Sequence, residues 1–339
     1  MTAAADQGAG APPPPPPQQG APPPAAPRAP RQSPSVPPGE IVVIASGVLM
    51  LIFSFLTWYE IEESSFFEGQ SWSAWSNAFN LFPLATLIAV IGAVLAAATA
   101  AARFGGVALP DRLAGFSWSQ LRLAAGVLGT LTLLAYYLRS FGDDGSIDKG
   151  IGMLVTLLAS VGLLVGAVLT HRETGEEADA DDEPGGGQPS PAALVLIGAG
   201  IVILIGSFLA VASSDGESKS AWGEGFFPLY TLPALLGVIV AAQVAATEFA
   251  GARLPSLLGM SWSKIRLACS GWALVMMVCF LIGHSVVAEA DIGKGAGFWI
   301  MLIAAIGLVV GSVMREQEAS SPGAPPPAAA PPPPPPPPA

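Results

Sequence analysis

The clearest polar signature in this chain occurs twice. Phe116-Ser-Trp-Ser-Gln-Leu-Arg122-Leu-Ala returns as Met260-Ser-Trp-Ser-Lys-Ile-Arg266-Leu-Ala, 144 residues later. Trp118 and Arg122 are four residues apart and share a helix face, as do Trp262 and Arg266. Two chemistries suit that pairing. In the first, which we take as the expectation, each pair is an interfacial anchor, with the indole at headgroup depth and the guanidinium reaching lipid phosphate. In the second, the two arginines form a paired site for an anionic ligand. Ser117 and Gln120 also fit a capping box at the start of a helix; Lys264 replaces the glutamine in the second copy and breaks it.

Other reactive residues give little. His171 and His284 are expected on opposite sides of a membrane, so they share no site. Gly115-Phe-Ser117 and Gly259-Met-Ser261 begin like a nucleophile elbow but end in serine and follow no strand. Gly293-x-Gly295-x-Gly297 lacks the strand–helix frame of a dinucleotide site. Asp143, Asp144 and Asp148 precede Lys149, and Glu289 and Asp291 precede Lys294; oxygen ligands suit Ca²⁺, but the spacing is not that of an EF-hand loop. They read as solvated loops. Cys269 and Cys279 lie ten residues apart on one expected helix, about 15 Å, beyond disulfide reach. The sequence therefore supplies no catalytic, cofactor-binding or metal-binding set, and an enzyme is not expected.

The elements that would position these residues are helices in a bilayer. Only 12% of the 339 residues are charged, against about 25% in soluble domains, and the mean hydropathy is +0.57. A spanning helix takes about 20 apolar residues. Eight segments qualify, at 41–59, 81–102, 121–138, 151–170, 192–212, 227–247, 265–284 and 297–314. The first would act as an uncleaved signal anchor, because the preceding residues hold no early apolar stretch. With the N-terminus inside, ten of the fourteen Lys/Arg residues fall on the inner side, and only Arg139, Lys149, Lys219 and Lys294 lie outside. That bias follows the positive-inside rule and places both termini in the cytoplasm of a cell (plasma) membrane protein. The net charge of −11 and the acidic outer loops argue against nucleic acid as a partner. Gly162-Leu-Leu-Val-Gly166 and Gly307-Leu-Val-Val-Gly311 are small-xxx-small patterns expected at helix contacts. Their partner helices, and any oligomeric state, are not readable from the sequence.

Self-similarity at a fixed period is the signature of a duplicated unit. Leu51-Ile-Phe-Ser-Phe-Leu56 matches Leu204-Ile-Gly-Ser-Phe-Leu209, and Ser73-Ala-Trp75 matches Ser220-Ala-Trp222. Phe82-Pro83 and Phe227-Pro228 follow, then Leu109-Pro110 and Leu254-Pro255, then Lys149-Gly-Ile-Gly152 and Lys294-Gly-Ala-Gly297. The expected fold is all-α, a polytopic membrane protein of eight transmembrane helices in two tandem four-helix repeats. An even number of spans per repeat gives both the same orientation. The expected divisions are a Pro-rich tail at 1–39, the first repeat at 40–172, an acidic Gly-rich linker at 173–190, the second repeat at 191–316 and a second Pro-rich tail at 317–339. Such tails favour extended polyproline II and cannot bury a core.

The Phe55-Leu-Thr57-Trp-Tyr59 segment, the Ser-Ala-Trp…Phe-Phe-Pro-Leu-Tyr loop and the Lys-Gly-x-Gly turns resemble a family of uncharacterised actinobacterial multi-pass membrane proteins. In that family proline is common where Thr57 stands here. The Pro/Ala-rich tails suit a high-GC actinobacterium. The resemblance covers both repeats and implies a membrane location but no reaction. The expected function is a membrane scaffold whose tails recruit cytoplasmic proteins, with the lipid bilayer as the other partner. The alternative is a transporter or channel for an uncharged or lipidic solute.

Overall fold

The computed structural model describes residues 36–61, 69–139, 147–174, 189–214, 217–283 and 293–320. Most of the proline-rich tails and acidic linker, together with Asp143, Asp144, His284, Glu289 and Asp291, lie outside the described residues. The chain is mostly helical and membrane-embedded in character, with seven helices long and apolar enough to cross a bilayer.

The helices are α1 Pro38–Phe53, α2 Leu84–Phe104, α3 Trp118–Leu138, α4 Ile151–Thr174, α5 Pro191–Phe208, α6 Leu232–Ala250, α7 Trp262–Ile282 and α8 Ala296–Ser320. Helix α1 has 16 residues, about 24 Å at 1.5 Å per residue, short of the roughly 30 Å hydrocarbon core. The sequence expectation ran this span on to residue 59. It ends at Phe53, and Trp58 and Tyr59 are wholly buried beyond the helix end, with Tyr59 starting a strand.

The all-α expectation misses six short strands: β1 Tyr59–Ile61, β2 Gln70–Trp72, β3 Ile147–Lys149, β4 Ala210–Ser214, β5 Glu217–Ser220 and β6 Gly293–Lys294. They form two antiparallel sheets ordered β2-β1-β3 and β5-β4-β6. Tyr59 pairs with Trp72 on one side and Lys149 on the other, and Ala212 pairs with Lys219 and Lys294. Strands of two to five residues are too short to carry a readable alternation.

The order helix, strand, strand, helix, helix, strand, helix therefore occurs once over 38–174 and again over 191–320. In each half the first helix packs on the second and fourth, and the third on the fourth. Glycine governs the closest crossings. A Cβ on Gly47 would lie 2.2 Å from the Gly92 carbonyl oxygen, and one on Gly200 would lie 2.7 Å from that of Gly237. Such backbone approach is how membrane helices pack without a hydrophobic driving force.

Candidate functional site

The two ends of the helix bundle differ: one carries the sheets, the other the Ser-Trp-Ser segments. At the second end, Ser117 opens α3 with a complete capping box. Its hydroxyl accepts from the Gln120 N–H at 3.3 Å, and the Gln120 side chain accepts from the Ser117 N–H at 3.2 Å. Ser261 opens α7 with its hydroxyl 2.9 Å from that of Ser263 instead. The Trp118 and Trp262 indoles donate to the carbonyls of Pro110 and Pro255, at 2.8 and 2.9 Å. Each Leu-Pro loop is thereby pinned to the helix that follows it.

Arg122 and Arg266 are 7% and 2% exposed. They are packed into protein and do not extend outward like snorkelling anchors. Arg122 is attracted by Glu40, which pairs with Arg103, and is repelled by Arg103 itself. Arg266 reaches the Gln243 amide oxygen at 3.4 Å, and nearby α6 and α8 are joined by Glu248–Arg315 at 2.6 Å. The Glu40 charge near Arg122 and the Gln243 oxygen met by Arg266 each belong to that arginine's own half. An anion entering the first cluster would meet the Glu40 carboxylate, so the arrangement suits internal charge compensation. A nearby opposite charge offsets part of the cost of burying a guanidinium.

The four glycines of the small-xxx-small patterns face the first helix of their own half. A Cβ on Gly162 would lie 2.5 Å from the Ser46 hydroxyl, and one on Gly166 would lie 2.9 Å from the Val43 nitrogen. In α8, Gly307 faces Ala199 at 3.2 Å and Gly311 faces Leu196 at 2.8 Å. The Lys-Gly-x-Gly turns have a related cause. Cβ atoms on Gly150 and Gly295 would lie 2.3 and 2.2 Å from the carbonyl oxygens of Thr57 and Ala210. The chain entering α4 or α8 passes directly over the backbone leaving α1 or α5, where only glycine fits.

What sequence reasoning missed is the seam between the halves, where α7 meets α2 and α3. The Trp272 indole donates to the Thr132 hydroxyl at 2.9 Å in mid-seam. At the sheet end, Arg139 is 4% exposed and donates to the carbonyls of Phe79, at 2.6 Å, and Gly225. It ties the sheet-end loop of one half to that of the other. Tyr136 donates to Asn80 at 2.6 Å, and Tyr59 donates to the Tyr136 carbonyl at 2.8 Å. Burial pushes the Tyr59 phenol well above the usual tyrosine range, keeping it a neutral donor. At the opposite end the Lys264 ammonium reaches the Gly115 carbonyl and lies 5.4 Å from the Phe116 ring centre. His171, at the end of α4, sits between the Ser119 hydroxyl at 3.4 Å and Gly259 of the second half.

Beside this seam an apolar cavity of about 80 Å³ separates α3 from α7 and the loop before it. Leu123, Val127 and Leu128 line one wall, and Ile265, Ala268 and Cys269 the other. The sequence did hold a signal for the seam. Gln120 becomes Lys264 inside an otherwise repeated motif, and Arg139 becomes Gly283 at the same distance from it. Both changes fall on residues that cross between halves. No group of three or more His, Cys, Asp or Glu residues able to hold a metal ion occurs among the described residues. No family model, curated protein or solved structure matches this chain.

Proposed function

We propose that the chain is a membrane scaffold that recruits cytoplasmic proteins through its proline-rich tails. In this reading α1 completes a set of eight spans, the two halves are tandem copies in one orientation, and both termini face the cytoplasm. No catalytic step is assigned. The observation that carries the reading is the seam: it is crossed by a Trp272–Thr132 hydrogen bond and strapped at its two ends by Arg139 and Lys264. A seam tied in this way favours a fixed platform over a passage between the halves. Proline tails are preformed ligands for aromatic grooves.

The second reading, a transporter or channel for an uncharged or lipidic solute, draws on the apolar cavity beside α3 and α7. One experiment separates them. Deleting 1–38 and 320–339 is expected to leave membrane insertion and helix content unchanged while removing most co-purifying proteins. The same truncated chain in liposomes should give no solute flux above empty vesicles. Saturable flux would replace the scaffold by the transporter. Reporter fusions after Arg172 and Arg315 test the topology, with a cytoplasmic signal expected from both.

A further inference from the structure

We propose that the cavity between α3 and α7 is a binding site for one acyl chain of an anionic phospholipid. The lining is apolar throughout, so a fatty chain can enter without stranding a polar group. It opens at the molecular surface, where Leu257 and Leu258 at its lip are 52% and 49% exposed. The helical walls run from Leu123 to Leu128 on α3 and from Ile265 to Cys269 on α7, about 7.5 Å and 6 Å along their axes. The slot therefore starts at the Ser-Trp-Ser end of the bundle, at the loop holding Leu257, Leu258 and Met260, and reaches the first three turns of α3 and the first two of α7. Its volume of about 80 Å³ admits a stretch of hydrocarbon chain.

Charge at the mouth selects the headgroup. Lys264 lies one residue before Ile265 of the lining, and its ammonium is held by the Gly115 carbonyl and the Phe116 ring. An ammonium has three donors, so a lipid phosphate can take those not used by Gly115. Arg253, exposed in the loop that supplies Leu257 and Leu258, adds a second positive charge on the same side. Basic pockets between membrane helices favour anionic headgroups for this reason. The inference is independent of the tails and of which face of the membrane is cytoplasmic.

The full chain in phospholipid vesicles is the system for the test. The probe is phosphatidylglycerol carrying a photoactivatable diazirine on one acyl chain, compared with the same label on phosphatidylcholine. Labelling is expected to concentrate in peptides containing Leu123–Leu128 and Leu257–Cys269. Phosphatidylglycerol should label roughly fivefold more, the preference that one lysine confers near an anionic surface. Ala268→Phe fills the slot and should abolish that labelling, whereas Lys264→Glu, at the mouth, should keep labelling by phosphatidylcholine and remove the preference. Equal labelling by the two lipids, or labelling spread evenly over all lipid-facing helices, would each overturn the proposal.

Discussion

At the Ser-Trp-Ser end, the first half pairs Glu40 of α1 with Arg103 of α2, whereas the second pairs Glu248 of α6 with Arg315 of α8. Arg103 and Glu248 occupy the same place, each twenty residues after its Phe-Pro and just before a phenylalanine. The sign of the charge there is reversed, and the partner has moved to a different helix. At the sheet end the halves agree closely. Trp75 and Trp222 both donate to a serine, Ser54 or Ser207, at 2.9 Å. Each indole stacks on the phenylalanine after that serine, with ring centres 5.0 and 5.3 Å apart. The glycine crossings agree too. Features fixed by backbone geometry are alike in both halves, while a charge pair is free to change partners provided the charge stays compensated.

The largest test of that difference is removal of one acid. The Glu248 and Arg315 side chains are each 8% exposed, while Arg103 is 39% exposed. Glu248→Gln takes away the carboxylate facing a buried guanidinium and should cost about 3–5 kcal/mol of unfolding free energy. Glu40→Gln loses a pair with the wetter Arg103 and a longer-range attraction on the buried Arg122, and should cost less, about 1–2 kcal/mol. Both are read from unfolding in detergent; equal losses would mean that the two clusters are equivalent after all.

The glycines give the next effect. Leucine at Gly166 or Gly311 overpacks the contact with α1 or α5 and should cost about 1–3 kcal/mol. Alanine should part the two positions. At Gly166 the new methyl meets backbone, the Val43 nitrogen at 2.9 Å and the Gly39 oxygen at 3.0 Å; at Gly311 it meets the Leu196 side chain, which can turn aside. Gly166→Ala should therefore lower the melting temperature more than Gly311→Ala, and the reverse order would refute the assigned crossing.

A smaller difference separates the arginines. Arg266→Lys loses the Nη1 donor that reaches the Gln243 amide oxygen and should cost about 1.5 kcal/mol, the low end for a hydrogen bond to a charged group. Arg122→Lys keeps its charge near Glu40 and should cost less. The smallest effect is expected where the halves match. Trp75→Phe and Trp222→Phe each delete one indole hydrogen bond, about 1 kcal/mol, and clearly unequal losses would break the likeness at the sheet end.

Much of this frame is legible from residue pattern alone. The long apolar runs mark the helices, and the Ser117–Gln120 spacing marks the cap of α3. Hydropathy could not show that Arg122 and Arg266 turn into protein, because their partners Glu40 and Gln243 lie on other helices and far off in sequence. It could not show the sheets either, since β1 is three residues long and is defined by pairing with β3, nearly ninety residues away. The Lys-Gly-x-Gly turns were visible as a repeated string. Their reason, the Thr57 and Ala210 carbonyls lying across them, exists only in three dimensions.

The two straps across the seam are anchored reciprocally. Arg139 belongs to the first half and grips Gly225 of the second, whereas Lys264 belongs to the second and grips Gly115 of the first. Like two bolts driven from opposite sides of a joint, they resist rocking in both directions, because prising either end apart pulls one cation off a carbonyl. Load passes directly from bundle to bundle. The covalent connection between α4 and α5 then serves as a tether, raising the effective concentration of one half near the other, and it can change in length or charge without loosening the joint.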